Sequence, residues 1–123
     1  MLKILGLGVK LLQLLLIVLN KVEKLDELLE AFLDKGFSGA TILNSTGMVS
    51  ELAKNIENYP IFSSLRYIID LDRKENKTIF MALKDEQVES AKEIVRGIIG
   101  DLSKPDTAVL FTLPILTAEG IEL

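Results

Sequence analysis

The 123-residue chain is 49% hydrophobic and carries 14 basic against 18 acidic side chains, a formal net charge of -4. That length and apolar content suit one domain with a substantial core, and the acidic balance disfavours a nucleic-acid backbone as partner. With no cysteine and no histidine, thiolate nucleophiles, disulfides, Cys/His zinc sites, histidine bases and Ser-His-Asp triads are excluded.

Residues 1–13 read as an N-terminal extension that packs on a neighbour, with an interfacial membrane contact through this extension as the alternative. They are rich in leucine, but Lys10 interrupts the run, and a charge at the centre of a spanning helix costs roughly 2.5–3.5 kcal/mol. No small-residue cleavage site follows, so a signal peptide fits poorly. The absence of cysteine is compatible with a reducing compartment, and the expected location is cytoplasmic.

Residues 14–19, all Leu, Ile or Val, predict a buried strand, and the domain is expected to occupy 14–123. Val22, Leu25, Leu28, Leu29, Phe32 and Leu33 form one apolar stripe of a helix over 22–36, stopped by Gly36. Its acidic residues fall on the opposite face and read as solvated. Residues 40–45 form the second strand. An insert of about 47–76 follows, too long for an ordinary connection, and such loops are functional or disordered. Within it, 49–58 predict a short helix, Pro60 breaks it, and Ile61, Phe62, Leu65, Tyr67, Ile68 and Ile69 offer surface to dock.

The pattern then repeats. Residues 77–83 predict a third strand and 86–100 a helix that buries Val88, Ala91, Ile94, Val95, Ile98 and Ile99, with Asp85 as N-cap and Gly100 as stop. Residues 108–113 form the last strand, closed by Pro114. Two such units make an α+β, ferredoxin-like split βαβ sandwich, a four-stranded antiparallel sheet with two helices on one face. The strands are apolar on both faces, Ile79, Met81 and Leu83 against Phe80 and Ala82. Helices cover only one face, so a second copy of the chain is expected on the other.

Most motif-like stretches fail on their chemistry. Gly6 and Gly8 lack the third glycine of a dinucleotide fingerprint, because Leu11 occupies that position. Asp70 and Asp72 start like a calcium loop, but Lys74 takes the next ligand position. The same residues could serve a carboxylate enzyme, yet an exposed charged turn explains them with fewer assumptions. One polar cluster survives: Ser38, Gly39 and Thr41 at the start of the second strand, and Asn44, Ser45, Thr46 and Gly47 at its end. These residues can bind a ligand, or can simply make turns and satisfy local backbone groups.

The layout resembles the nitrogen-regulatory P-II superfamily, whose ferredoxin-like subunits form trimers and carry a long T-loop between the second and third strands. The stretch from Gly36 to Gly47 looks like that family's helix end, second strand and loop entry, and the run from Leu110 to Ile115 looks like its last core strand. The resemblance implies an adenine nucleotide, or a cyclic dinucleotide as in some relatives, held in clefts between subunits. Gly39, Thr41, Thr46, Gly47 and Met48 would line one side, and Gly100 and Lys104 the other. The family's Gly-Asp-Gly-Lys-like phosphate loop is replaced here by Ser103, Lys104, Pro105, Asp106 and Thr107. The basic residues beyond its last strand are missing.

The role so implied is not enzymatic. It is signal transduction and enzyme regulation by a homotrimer that senses a small ligand and reaches a partner protein through the 47–76 loop, with Arg66 and Tyr67 as contact residues. A CutA-like trimer linked to metal-ion tolerance shares the architecture and is the alternative. Carboxylates alone would have to bind the metal there.

Overall fold

A computed structural model describes residues 11–53 and 75–122. Four strands form one antiparallel sheet in the order β2-β3-β1-β4: β1 (Leu12–Leu19), β2 (Thr41–Ser45), β3 (Asn76–Lys84) and β4 (Ala108–Ile115). Helices α1 (Leu25–Asp34) and α3 (Val88–Ile99) pack on one face and against each other, and a short helix α2 (Met48–Ala53) follows β2. This is the expected α+β ferredoxin-like arrangement, in which β3 sits between the two strands joined through α1.

The core forms where alternation along the strands meets the helical stripes. Leu15, Ile17 and Leu19 of β1 and Ile79, Met81 and Leu83 of β3 are buried beneath Leu28 and Phe32 of α1 and Ala91, Val95 and Ile99 of α3. Each fully buried Leu, Ile or Phe contributes about 1.5–3 kcal/mol. Phe32 also meets Phe37 edge to face, with ring centroids 6.0 Å apart.

Several expected boundaries move. β1 starts at Leu12, inside the stretch assigned to the extension, because Leu12 and Gln13 still pair with Lys84 and Leu83 on one side and with Ile115 and Pro114 on the other. The first helix begins as a 3-10 turn, Val22–Lys24, and its stripe is narrower than expected: Leu33 is 64% exposed. Asp85 does not cap α3. It lies in a 3-10 turn, Asp85–Gln87, where its carboxylate accepts from the Gln13 amide and its N–H donates to Leu11 O at 2.9 Å. β4 runs through Pro114 rather than ending there, which an edge strand permits because its outer side needs no donor.

Gly36 (φ +88°) and Gly100 (φ +95°) end α1 and α3 as the sequence indicates. Lys21 adds a charge at the end of α3, its Nζ 3.4 Å from Ile99 O, where cations favour the helix dipole.

The face away from the helices is apolar, as expected. The register sets Phe80, Leu16 and Phe111 in one row across the sheet, and Thr78, Val18 and Val109 in the next. Among these, Phe111 and Val109 are about half exposed. Among the described residues no helix is long and apolar enough to cross a membrane.

Candidate functional site

The β2–β3 ladder stops one step early, and a pocket opens at that point. Its pairing runs from Ser45 opposite Asn76 to Thr41 opposite Phe80. Two positions further on, the same register would set Gly39 opposite Ala82, but the strand has ended. Instead the two residues face each other across a cavity of about 230 Å³, whose lining includes Phe37, Ser38, Leu83, Gln87 and Glu122.

Backbone parity shows what the cavity offers. The Asp85 N–H bonds to Leu11 O, and direct partners in an antiparallel ladder alternate between bonded and non-bonded pairs. Odd-numbered residues of β3 therefore turn their N–H and C=O toward β1, and even-numbered ones toward β2. Ala82 thus aims a donor and an adjacent acceptor into the cavity, where no strand among the described residues meets them. Gln87 adds a donor, since its Oε1 is taken by the Lys84 N–H at 2.9 Å and its amide nitrogen is left over. The Ser38 hydroxyl is exposed at the rim.

At the other end of the sheet the polar groups are bonded to one another. The Ser45 hydroxyl donates to the side-chain carbonyl of Asn76 and lies 2.7 Å from Thr78 Oγ1. Asn76 Nδ2 donates to Asn20 Oδ1 at 3.2 Å. Lys77 reaches across to the Asn44 side chain. The loop before β4 is tied down as well: Asn20 N–H and Lys21 N–H both donate to Thr107 O at 2.9 and 3.0 Å. The Thr107 hydroxyl closes onto Lys104 O at 2.9 Å. In the same loop the Asp101 carboxylate accepts from the Ser103 hydroxyl at 2.7 Å and the Ser103 N–H at 2.9 Å, and these bonds hold its pKa below the ordinary 3.8.

The residues expected to bind ligand are distributed over this frame. Gly39 lines the pocket, and Thr41 starts β2 beside it. Thr46, Gly47 and Met48 lie beyond the far end of β2, on the order of 20 Å away at about 3.3 Å per residue. There Gly47 O accepts from Glu51 N–H at 2.9 Å as α2 begins, and Met48 is 76% exposed. Gly100 and Lys104 share that end of the sheet but flank β4, the opposite edge from β2, roughly 14 Å away across three strand spacings. A single chain therefore does not bring them together. Arg66 and Tyr67, the expected partner contacts, lie outside the described residues, as do 1–10 and the end of the short helix expected at 49–58.

Sequence reasoning missed Ala82, Gln87 and Glu122. Ala82 acts through its backbone, and Glu122 arrives from the far edge of the sheet, so neither carries a local signal. Among the described residues no group of three or more acidic side chains could hold a metal ion.

No protein-family model matches the chain, and no curated protein matches it. Its fold does match solved structures. A functionally unknown protein from Pediococcus pentosaceus superposes with a TM-score of 0.62 at 15% identity, over 92% of this chain and 100% of that one. The PII protein of Arabidopsis thaliana, solved bound to citrate, superposes with a TM-score of 0.57 at 17% identity, over 86% and 78%. The chain thus has a PII-like fold.

Proposed function

We propose that this PII-like fold serves a signalling subunit, which senses a nucleotide and passes its occupancy through the 47–76 loop to a partner protein. The observation that supports the reading best is the open rung between Gly39 and Ala82. The N–H and C=O of one extended residue lie side by side, and the edge of a nucleobase presents the complementary acceptor and donor. β2 runs from this rung to the base of the insert, so a ligand that fills the rung lengthens the ladder and stiffens the strand leading into the loop. Such a ligand shifts the loop only by as much as its affinity differs between two loop settings.

The rest of the expected site needs more than one copy. Thr46, Gly47 and Met48 at one edge, and Gly100 and Lys104 at the other, would meet in a cleft between neighbouring subunits. The exposed Val109, Phe111 and Leu113 on the face away from the helices favour such self-assembly, with a trimer as the expected state. The citrate of the Arabidopsis protein adds a small carboxylate to the ligands worth screening.

A thermal-shift panel of ATP, ADP, AMP, cyclic dinucleotides, 2-oxoglutarate and citrate, on protein sized by light scattering, tests this. A ligand at a few times its dissociation constant adds about 1 kcal/mol by mass action. Stabilisation of a trimer by one nucleotide is the expected result. A folded protein that no nucleotide shifts overturns nucleotide sensing and leaves the fold alone as common ground.

A further inference from the structure

β4 ends at Ile115 on the edge of the sheet opposite β2, yet Glu122 lines the pocket at the β2–β3 edge. Residues 116–122 therefore carry the chain across the end of the sheet, past β1 and β3. Gly120, at φ +80°, turns the chain late in this course. Leu116 is 88% exposed and Ile121 45%, and no hydrogen bond or ion pair among the described residues holds the segment. It is a strap that brings Glu122 to the pocket.

Among the described residues, Glu122 is the one ionisable residue in the pocket lining. Lys35 and Lys84 adjoin lining residues in sequence but do not line the pocket themselves. The other polar contributions are the hydroxyl of Ser38, the amide of Gln87 and backbone groups, all neutral. The fixed charge that the described lining residues present to an entering group is thus negative, and its source is a strap rather than the strands.

We infer that Glu122 is the charge gate of the Gly39–Ala82 pocket. The pocket accepts a neutral or cationic amide-like edge and turns away carboxylate and phosphate. Any anionic part of the same ligand stays outside. This rests on the pocket being the ligand site proposed above, and it adds which end of a ligand enters.

The chain has no cysteine, so Ser38→Cys places a single thiol at the rim. Its labelling rates with cationic and anionic methanethiosulfonate reagents of similar size, each relative to a small free thiol at low ionic strength, read the local charge directly. The cationic reagent is expected to be favoured, and adding Glu122→Gln should reduce that preference about twofold or more, as one charge at several ångströms in water does. The same preference in S38C and S38C/E122Q overturns the gate.

Because labelling uses no ligand, it stands whether or not the nucleotide panel succeeds. Adenosine and AMP provide the second arm: E122Q should raise the response to AMP relative to that to adenosine. Equal responses in both forms count against the gate, whereas failure of both ligands in both forms overturns only the nucleotide reading. Glu122 is exposed, and an unchanged melting temperature in E122Q verifies that the fold is intact.

Discussion

The side-chain amide of Gln13 donates to the carboxylate of Asp85, 72 residues away in sequence, while the Asp85 N–H donates to Leu11 O. Together these bonds fasten the start of β1 to the turn where β3 gives way to α3. Gln13→Ala removes one bond to a half-buried charged group and should cost about 1–2 kcal/mol. In urea unfolding this appears as a lower midpoint with an unchanged slope.

Two glycines close together in sequence should respond in opposite directions. Gly97 lies inside α3 and is exposed, with nothing near the position of an added Cβ. Gly97→Ala should therefore stabilise by about 0.5–1 kcal/mol. Gly100, at φ 95° and ψ -149°, occupies a region that side chains avoid. Gly100→Ala should destabilise by about 1–3 kcal/mol. Parallel thermal melts of the two variants give both signs.

Asp101 titrates below 3.8 because Ser103 bonds to its ionised form through hydroxyl and backbone N–H. A folded pKa below the unfolded one gives stability that is present above the unfolded value and is lost as pH falls through the folded one. Ser103→Ala should move the Asp101 midpoint up toward 3.8 by removing the stronger of the two contacts. Carbon-detected NMR titration of the side-chain carboxyl reads the midpoint. The variant should also lose less stability than the parent between pH 4 and pH 2.

Phe111 stands in the open row beside Leu16 and is 49% exposed. If copies of the chain cover this face, Phe111→Asp should yield a folded monomer by light scattering, with the circular dichroism of the parent. An assembly unchanged in size would place the interface elsewhere.

Phe37 is a wall of the pocket and meets Phe32 edge to face, and its N–H donates to Phe32 O at 2.9 Å. Phe37→Leu keeps the backbone bond and loses the ring contact, worth about 1 kcal/mol. The expected result is a small drop in melting temperature with a larger loss of any ligand-induced shift.

The strands and helices were legible because the helix stripe and the two-sided apolar strands follow directly from residue spacing, and Gly36 and Gly100 mark the helix ends through their backbone freedom. Ends set by cross-strand pairing were not. Leu12 joins β1 because partners exist for it on both sides, and Asp85 turns to Gln13 instead of capping α3. Pro114 stays within β4 because that strand is an edge. The pocket was legible only through Ser38 and Gly39. Its other features depend on register, which determines that Ala82 and not Met81 faces the gap, and on the path of the tail, which no periodicity encodes.

Ser45 and Asn76 are direct partners at the last rung of the β2–β3 ladder, with their side chains bonded as well. The chain between them leaves and re-enters the sheet at one clasp whose two ends are neighbours. Chain closure at such a clasp costs only about 0.6 kcal/mol more for each doubling of the intervening length. Residues 46–75 are therefore a cassette: a two-residue Asn-Gly turn or a foreign sequence could take their place while the sheet keeps its register. A lineage built on this frame could change the molecules it addresses by recutting that cassette, leaving the folding problem already solved.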